Sequence, residues 1–235
     1  MPNKTYACVR FDQSHALTRF FPHRRDGTSL ASDRQANLGI CFALSLHWLR
    51  RIAAFANEGA QERIEFIGSE ASIVQCVQAQ LYYMLPYHVG ERKFLSKFHG
   101  RDRHLETAKV FGFSQYARLF KSDSYDELSR SDISFPYLHF LLASNTIRER
   151  ARAVTSCISA PRTNHIFSIA HKANDGYITG HALACSMSSG VLFVFDPNIG
   201  EIHVPESDIH DFIINTLSSF DRQLQLTSVE VARLS

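Results

Sequence analysis

The chain has 235 residues, 45% of them hydrophobic, which is enough for a sizeable core. Its 25 Lys and Arg against 23 Asp and Glu leave a formal charge of +2, so no basic field draws nucleic acid and no acidic tail is present. Apolar runs such as 191–195 are far too short to cross a bilayer, and the opening Met-Pro-Asn-Lys-Thr-Tyr-Ala-Cys lacks the apolar centre of a secretory signal.

Residues 1–38 are mixed in composition and read as a loosely structured leader. Arg19, Phe20, Phe21, His23, Arg24 and Arg25 cluster there, a group that is either a solvated face or a peripheral contact with a membrane surface or a GTPase. From 41 to 57, Leu44, Trp48, Ile52 and Phe55 recur at helical spacing, predicting a helix with one buried stripe that Gly59 closes. A second helix opens at Ser69 or Glu70, carries Ile73, Cys76, Val77, Gln80, Leu81 and Met84 on one face, and ends at Pro86. The charged middle suggests short helices near 105–111, 115–120 and 137–144.

Beyond Pro161 the period changes. Segments 166–170, 177–186, 191–196 and 201–204 are strand-like and separated by turn residues. A helix over 209–217, capped by Ser207 or Asp208, and a last strand over 224–231 follow. Helices first and an antiparallel sheet afterwards predict an α+β fold, with 39–235 as one domain.

The chemistry centres on Cys41. It follows Gly39 and Ile40 at the head of the first long helix, where the dipole end and unpaired N–H groups favour thiolate. Six residues upstream, Gln35 offers an amide to a developing oxyanion, with Asn37 as the alternative donor. A turn centred on Ser188-Ser189 makes His181 face Asp196 across a hairpin; a shifted loop changes that pairing. Opposed in this way, the carboxylate fixes the imidazole tautomer and leaves Nε2 for a thiol. Thiolate attack on an acyl carbon is the chemistry these groups fit, with His181 handling the proton.

Three blocks then carry a family resemblance. Gly39-Ile40-Cys41-Phe42-Ala43-Leu44-Ser45-Leu46-His47-Trp48-Leu49, Gly180-His181-Ala182 and Phe195-Asp196-Pro197-Asn198-Ile199-Gly200 resemble the YopT/AvrPphB family of bacterial effector cysteine proteases. The resemblance implies a papain-like fold, with the nucleophile at a helix N-terminus packed on a C-terminal antiparallel sheet. It implies a Cys41–His181–Asp196 triad and an endopeptidase secreted into a host cell without a cleaved signal peptide. There it acts on a host signalling protein, lipidated or membrane-associated, in the cytosol or at a membrane surface. Neither a cofactor nor a metal is called for. The same triad serves deamidases, transglutaminases and acyltransferases, which form the alternative reading.

The remaining conspicuous residues have plainer readings. The five cysteines (Cys8, Cys41, Cys76, Cys157, Cys185) are an odd set without CxxC, pointing to neither a disulfide framework nor a zinc knuckle. Cys76 and Cys185 fit buried faces, and Trp48 fits packing on the Leu44 stripe. His99 with His104, and His165 with His171, lack metal-ligand spacing.

Overall fold

The computed structural model describes residues 5–21, 40–88, 103–123, 146–172, 178–223 and 226–235. The chain divides into two compact units. Unit 1 takes Met1–Ala7, Ala117–Val194 and His203–Arg233; unit 2 takes Cys8–Tyr116, Phe195–Ile202 and Leu234–Ser235. The expected boundary at 38 is therefore not where either unit begins. The leader also holds regular structure, a strand β1 (Ala7–Arg10) and a helix α1 (Gln13–Phe20). Asp12 caps α1, its Oδ1 accepting from Ser14 N at 2.8 Å and His15 N at 3.3 Å. Residues 23–25 of the basic cluster lie outside the described residues.

Unit 2 is largely helical. Helix α2 (Cys41–Ala54) packs on α3 (Ala60–Ile67) and α4 (Glu70–His88), and α4 packs on α1 and α5 (Arg103–Val110). Helix α3 was not foreseen, because Gly59 looks like a stop. It is instead the cap of the next helix, its N–H donating to Glu62 Oε2 at 3.0 Å. Helix α4 runs two residues past Pro86, since a proline in the last turn removes only one helical bond. The predicted single stripe on α2 is also too modest. All nine residues from Cys41 to Leu49 are buried, so the first half of this helix is enclosed on every side.

Unit 1 contains β2 (Tyr116–Asp123, from Ala117 on), α6 (Ile147–Ile158), β3 (Asn164–Lys172) and β4 (Ile178–Ser188). The first four residues of β5 (Val191–Asp196), the last three of β6 (Gly200–Pro205), α7 (Ile209–Gln223) and β7 (Leu226–Leu234, up to Arg233) complete it. Its strands neighbour one another in the order β6-β5-β4-β3-β7-β2. In unit 2 the order is β1-β6-β5, and β5 and β6 give residues to both units. Strands β3 and β4 are antiparallel, with Ile169 opposite His181 and Phe167 opposite Leu183. Ala151, Val154 and Ile158 of α6 and Ile209, Ile213 and Leu217 of α7 are all buried, the two helices packing together.

Segment 115–120 was expected to be helical and is the start of β2. Buried Phe120 and Ser122 flank exposed Lys121, the two-residue period of a strand. Helix α6 was missed although Thr146 and Glu149 form a capping box, Thr146 Oγ1 accepting from Glu149 N at 3.3 Å. The helix expected at 137–144 lies outside the described residues. The 209–217 helix is entered through a short 3-10 turn, Glu206–Asp208, rather than from a side-chain cap at Ser207 or Asp208.

The β4–β5 turn is Ser189-Gly190, one residue later than expected. Both have positive φ (50° and 73°), the pairing that a two-residue hairpin loop requires. Opposed pairs in the hairpin therefore shift by two, and direct opposition of His181 and Asp196 does not follow. An even shift leaves each residue on its assigned face.

Candidate active site

Cys41 is the first residue of α2 and is buried. Its N-cap, Ile40, has no side chain able to serve the helix's orphan N–H groups. Distant amides serve them instead. Ala43 N donates to Gln80 Oε1 at 3.2 Å, and Ile40 N donates to Gln13 Oε1 at 3.0 Å. The helix head that presents the thiol is thus held by α4 and α1 rather than by a local cap.

Asp196 closes β5 and is buried within unit 2. Its Oδ1 accepts from Asn198 N at 2.8 Å and its backbone oxygen from Ile199 N at 3.0 Å, a turn that fixes the carboxylate. Gly200 follows with φ +121°, and a Cβ there would lie 1.9 Å from Val9 O, so only glycine lets β1 lie so close. His181 belongs to unit 1, where its buried ring stacks on Phe220 at 5.6 Å between centroids. Cys41 and Asp196 therefore share one unit and His181 belongs to the other. Gln35 and Asn37 lie outside the described residues.

Three groups around the site escaped the sequence reading. Gln13 links Ile40 to Asn198, its Nε2 donating to Asn198 Oδ1 at 2.5 Å. Glu201 is fully buried and receives Trp48 Nε1 at 2.8 Å, Arg63 Nε at 2.9 Å and Arg63 Nη2 at 2.7 Å. Trp48 is packing, as expected, stacked on Phe195 with centroids 5.8 Å apart and planes 10° from parallel. The third is an aromatic cluster beside Cys41. Phe42 meets His104 edge-on at 5.5 Å, and His104 stacks on Tyr116 at 5.1 Å. That contact gives His104 a packing role.

All five cysteines are thiols. Burial alone pushes Cys185 up to about 12 and raises Cys76 further, which makes both poor nucleophiles. Burial also raises Cys157, and raises Cys8 against the opposing pull of Arg10.

Two buried histidines make stability depend on pH. Burial, with Arg51 nearby, lowers His47 to about 4; burial, with Arg233 nearby, lowers His165 to about 4. In the unfolded chain both take a proton near 6.5. Between those values the unfolded state binds more protons, so the folded state is favoured fully above pH 6.5. It loses ground as pH falls toward 4. Urea unfolding near pH 5 should show roughly 2 kcal/mol less stability per histidine than near pH 7.5. Equal stability at both would mean that neither ring is lowered in the fold.

Comparison with known proteins agrees with the fold. A family model described as the Yersinia/Haemophilus virulence surface antigen, a peptidase family, matches residues 128–231, less than half of the chain. That stretch includes His181 and Asp196 but not Cys41. Among solved structures, the Pseudomonas avirulence protein AvrPphB superposes with a TM-score of 0.58 at 19% identity, covering 84% of this chain and 92% of that one. A cysteine protease-like domain of the Photorhabdus asymbiotica toxin PaTox aligns over 98% of this chain and 90% of its own at 11% identity. Its TM-score of 0.24 adds nothing to the assignment. No curated protein matches significantly. The α+β architecture is that of AvrPphB, a papain-like fold. In this fold, and in sequence over 128–231, the chain is similar to the YopT/AvrPphB family of cysteine proteases.

Proposed function

We propose that this chain is a cysteine endopeptidase in which Cys41 is the nucleophile, His181 the acid–base and Asp196 the residue that orients His181. The observation that carries the reading is Cys41 as first residue of an enclosed helix, in the same unit as a buried, turn-fixed Asp196. The papain-like fold shared with AvrPphB supports it. In the reaction the Cys41 thiolate adds to the scissile carbonyl carbon, and the C–N bond breaks as protonated His181 delivers its proton to the leaving amine. Water, deprotonated by His181, then cleaves the thioester and frees the new carboxylate. Gln35, or Asn37, donates to the oxyanion.

By the same resemblance the protein is a bacterial virulence effector that enters a host cell. It cleaves a host signalling protein, lipidated or membrane-associated, in the cytosol or at a membrane surface. The leader supplies a peripheral membrane contact: Arg19 lies 5.1 Å over the Phe20 ring, and Phe21 is exposed. Among the described residues no helix is long and apolar enough to cross a membrane.

The test is a survey of new protein N-termini in host cells expressing the wild-type protein or Cys41→Ala. Cleavage products confined to the wild type support the protease. Intact chains with a gain of about 1 Da at Gln or Asn, or an amine adduct, would replace it with an acyl-transfer enzyme on the same triad.

A further inference from the structure

We propose that Gln13 is a positioning residue that locks the Cys41 helix head to the Asp196 turn. The inference rests on the triad reading above. Gln13 opens α1 and its side chain is buried. Its Oε1 accepts from Ile40 N–H at 3.0 Å. A backbone N–H can only donate, so this bond settles which end of the amide is oxygen. Nε2 is then the end that donates to Asn198 Oδ1, at 2.5 Å. The Gln13 backbone N–H donates to Pro197 O at 2.8 Å, and Asn198 N–H donates to Asp196 Oδ1 at 2.8 Å.

A continuous line of hydrogen bonds thus runs from Ile40, the residue before Cys41, through Gln13 and Asn198 to the Asp196 carboxylate. All of its members lie in unit 2. The job needs an uncharged side chain with an acceptor at one end and a donor at the other, which the Gln13 carboxamide supplies. An apolar residue of equal length would strand the buried Ile40 N–H and let the turn drift from the helix head. Strand β1 holds Gln13 in place. Phe11 N donates to Ile199 O at 3.1 Å, and Gly200 lets Val9 approach the turn directly. Catalysis that depends on sub-ångström placement of the orienting carboxylate is sensitive to such a link.

The test uses the full chain and iodoacetamide, with labelling of Cys41 followed by peptide mass spectrometry from about pH 5 to about pH 9. In the wild type, Cys41 should label faster than the other four cysteines, and His181→Ala should abolish that advantage. Gln13→Met should change the pH dependence of Cys41 labelling and slow it about tenfold near neutral pH. Asn198→Ala should do the same; Asn198 is exposed, so this variant carries the test if Gln13→Met fails to fold. Lower melting temperatures with an unmoved profile would overturn the positioning role and leave the triad standing. A wild-type profile indifferent to His181→Ala would overturn the triad itself, and the inference with it.

Discussion

Cys41→Ala should abolish hydrolysis, lowering turnover of any substrate found in the N-terminal survey by about a thousandfold or more. His181→Ala should do the same, because an unassisted thiol is largely protonated at neutral pH and the leaving amine has no proton source. Groups that act as a unit do not add, so the Cys41→Ala, His181→Ala double variant should be no slower than either single one. Asp196→Ala should fall less far. It removes orientation and imidazolium stabilisation but leaves nucleophile and base in place. Its loss has a second effect here, since Asp196 Oδ1 also accepts Asn198 N–H and the turn itself would loosen. Full activity in either of the first two variants would remove the triad from consideration.

The largest stability loss should come from Glu201→Leu. Arg63 and Glu201 are paired at 2.7 Å with side chains only 4% and 0% exposed, and Trp48 Nε1 donates to the same carboxylate. Removing the carboxylate strands a guanidinium and an indole N–H in the core. Stranding one partner of a buried pair costs about 3–5 kcal/mol. The Arg63 bond to Glu58 O retains one donor but not the charge balance. Replacing both members, Arg63→Met with Glu201→Leu, should recover much of the loss, since an apolar pair carries no desolvation penalty. Urea midpoints for the wild type and these two variants decide it. A Glu201→Leu protein within about 1 kcal/mol of wild type would mean that water reaches Arg63.

Local chemistry decided which parts of this fold could be read in advance. Strand β5 was placed at its observed limits because a compact apolar run sits between a Gly turn and Asp-Pro. Helix α2 was placed because Leu44, Trp48 and Ile52 keep one period. Helix α1 is short and polar, and β2 alternates too weakly in residue type to show its period before burial is seen. The site divides along the same line. Cys41 at a helix head and Asp196 at a strand end are visible in neighbouring residues. Gln13 and Glu201 look like ordinary polar residues until the fold brings Asn198 and Arg63 to them, across 185 and 138 positions of sequence.

Those separations set an order of events as the chain is made. The head of α2 is synthesised early, yet Gln13 can reach Asn198, and Trp48 can reach Glu201, only once those late residues have themselves left the ribosome. Closing such long loops is a late step in folding as well. On the proposed triad, a nascent chain therefore carries Cys41 for most of its synthesis without the Asp196 turn. On that reading, a chain stalled or cut before residue 196 would display Cys41 without its orienting carboxylate.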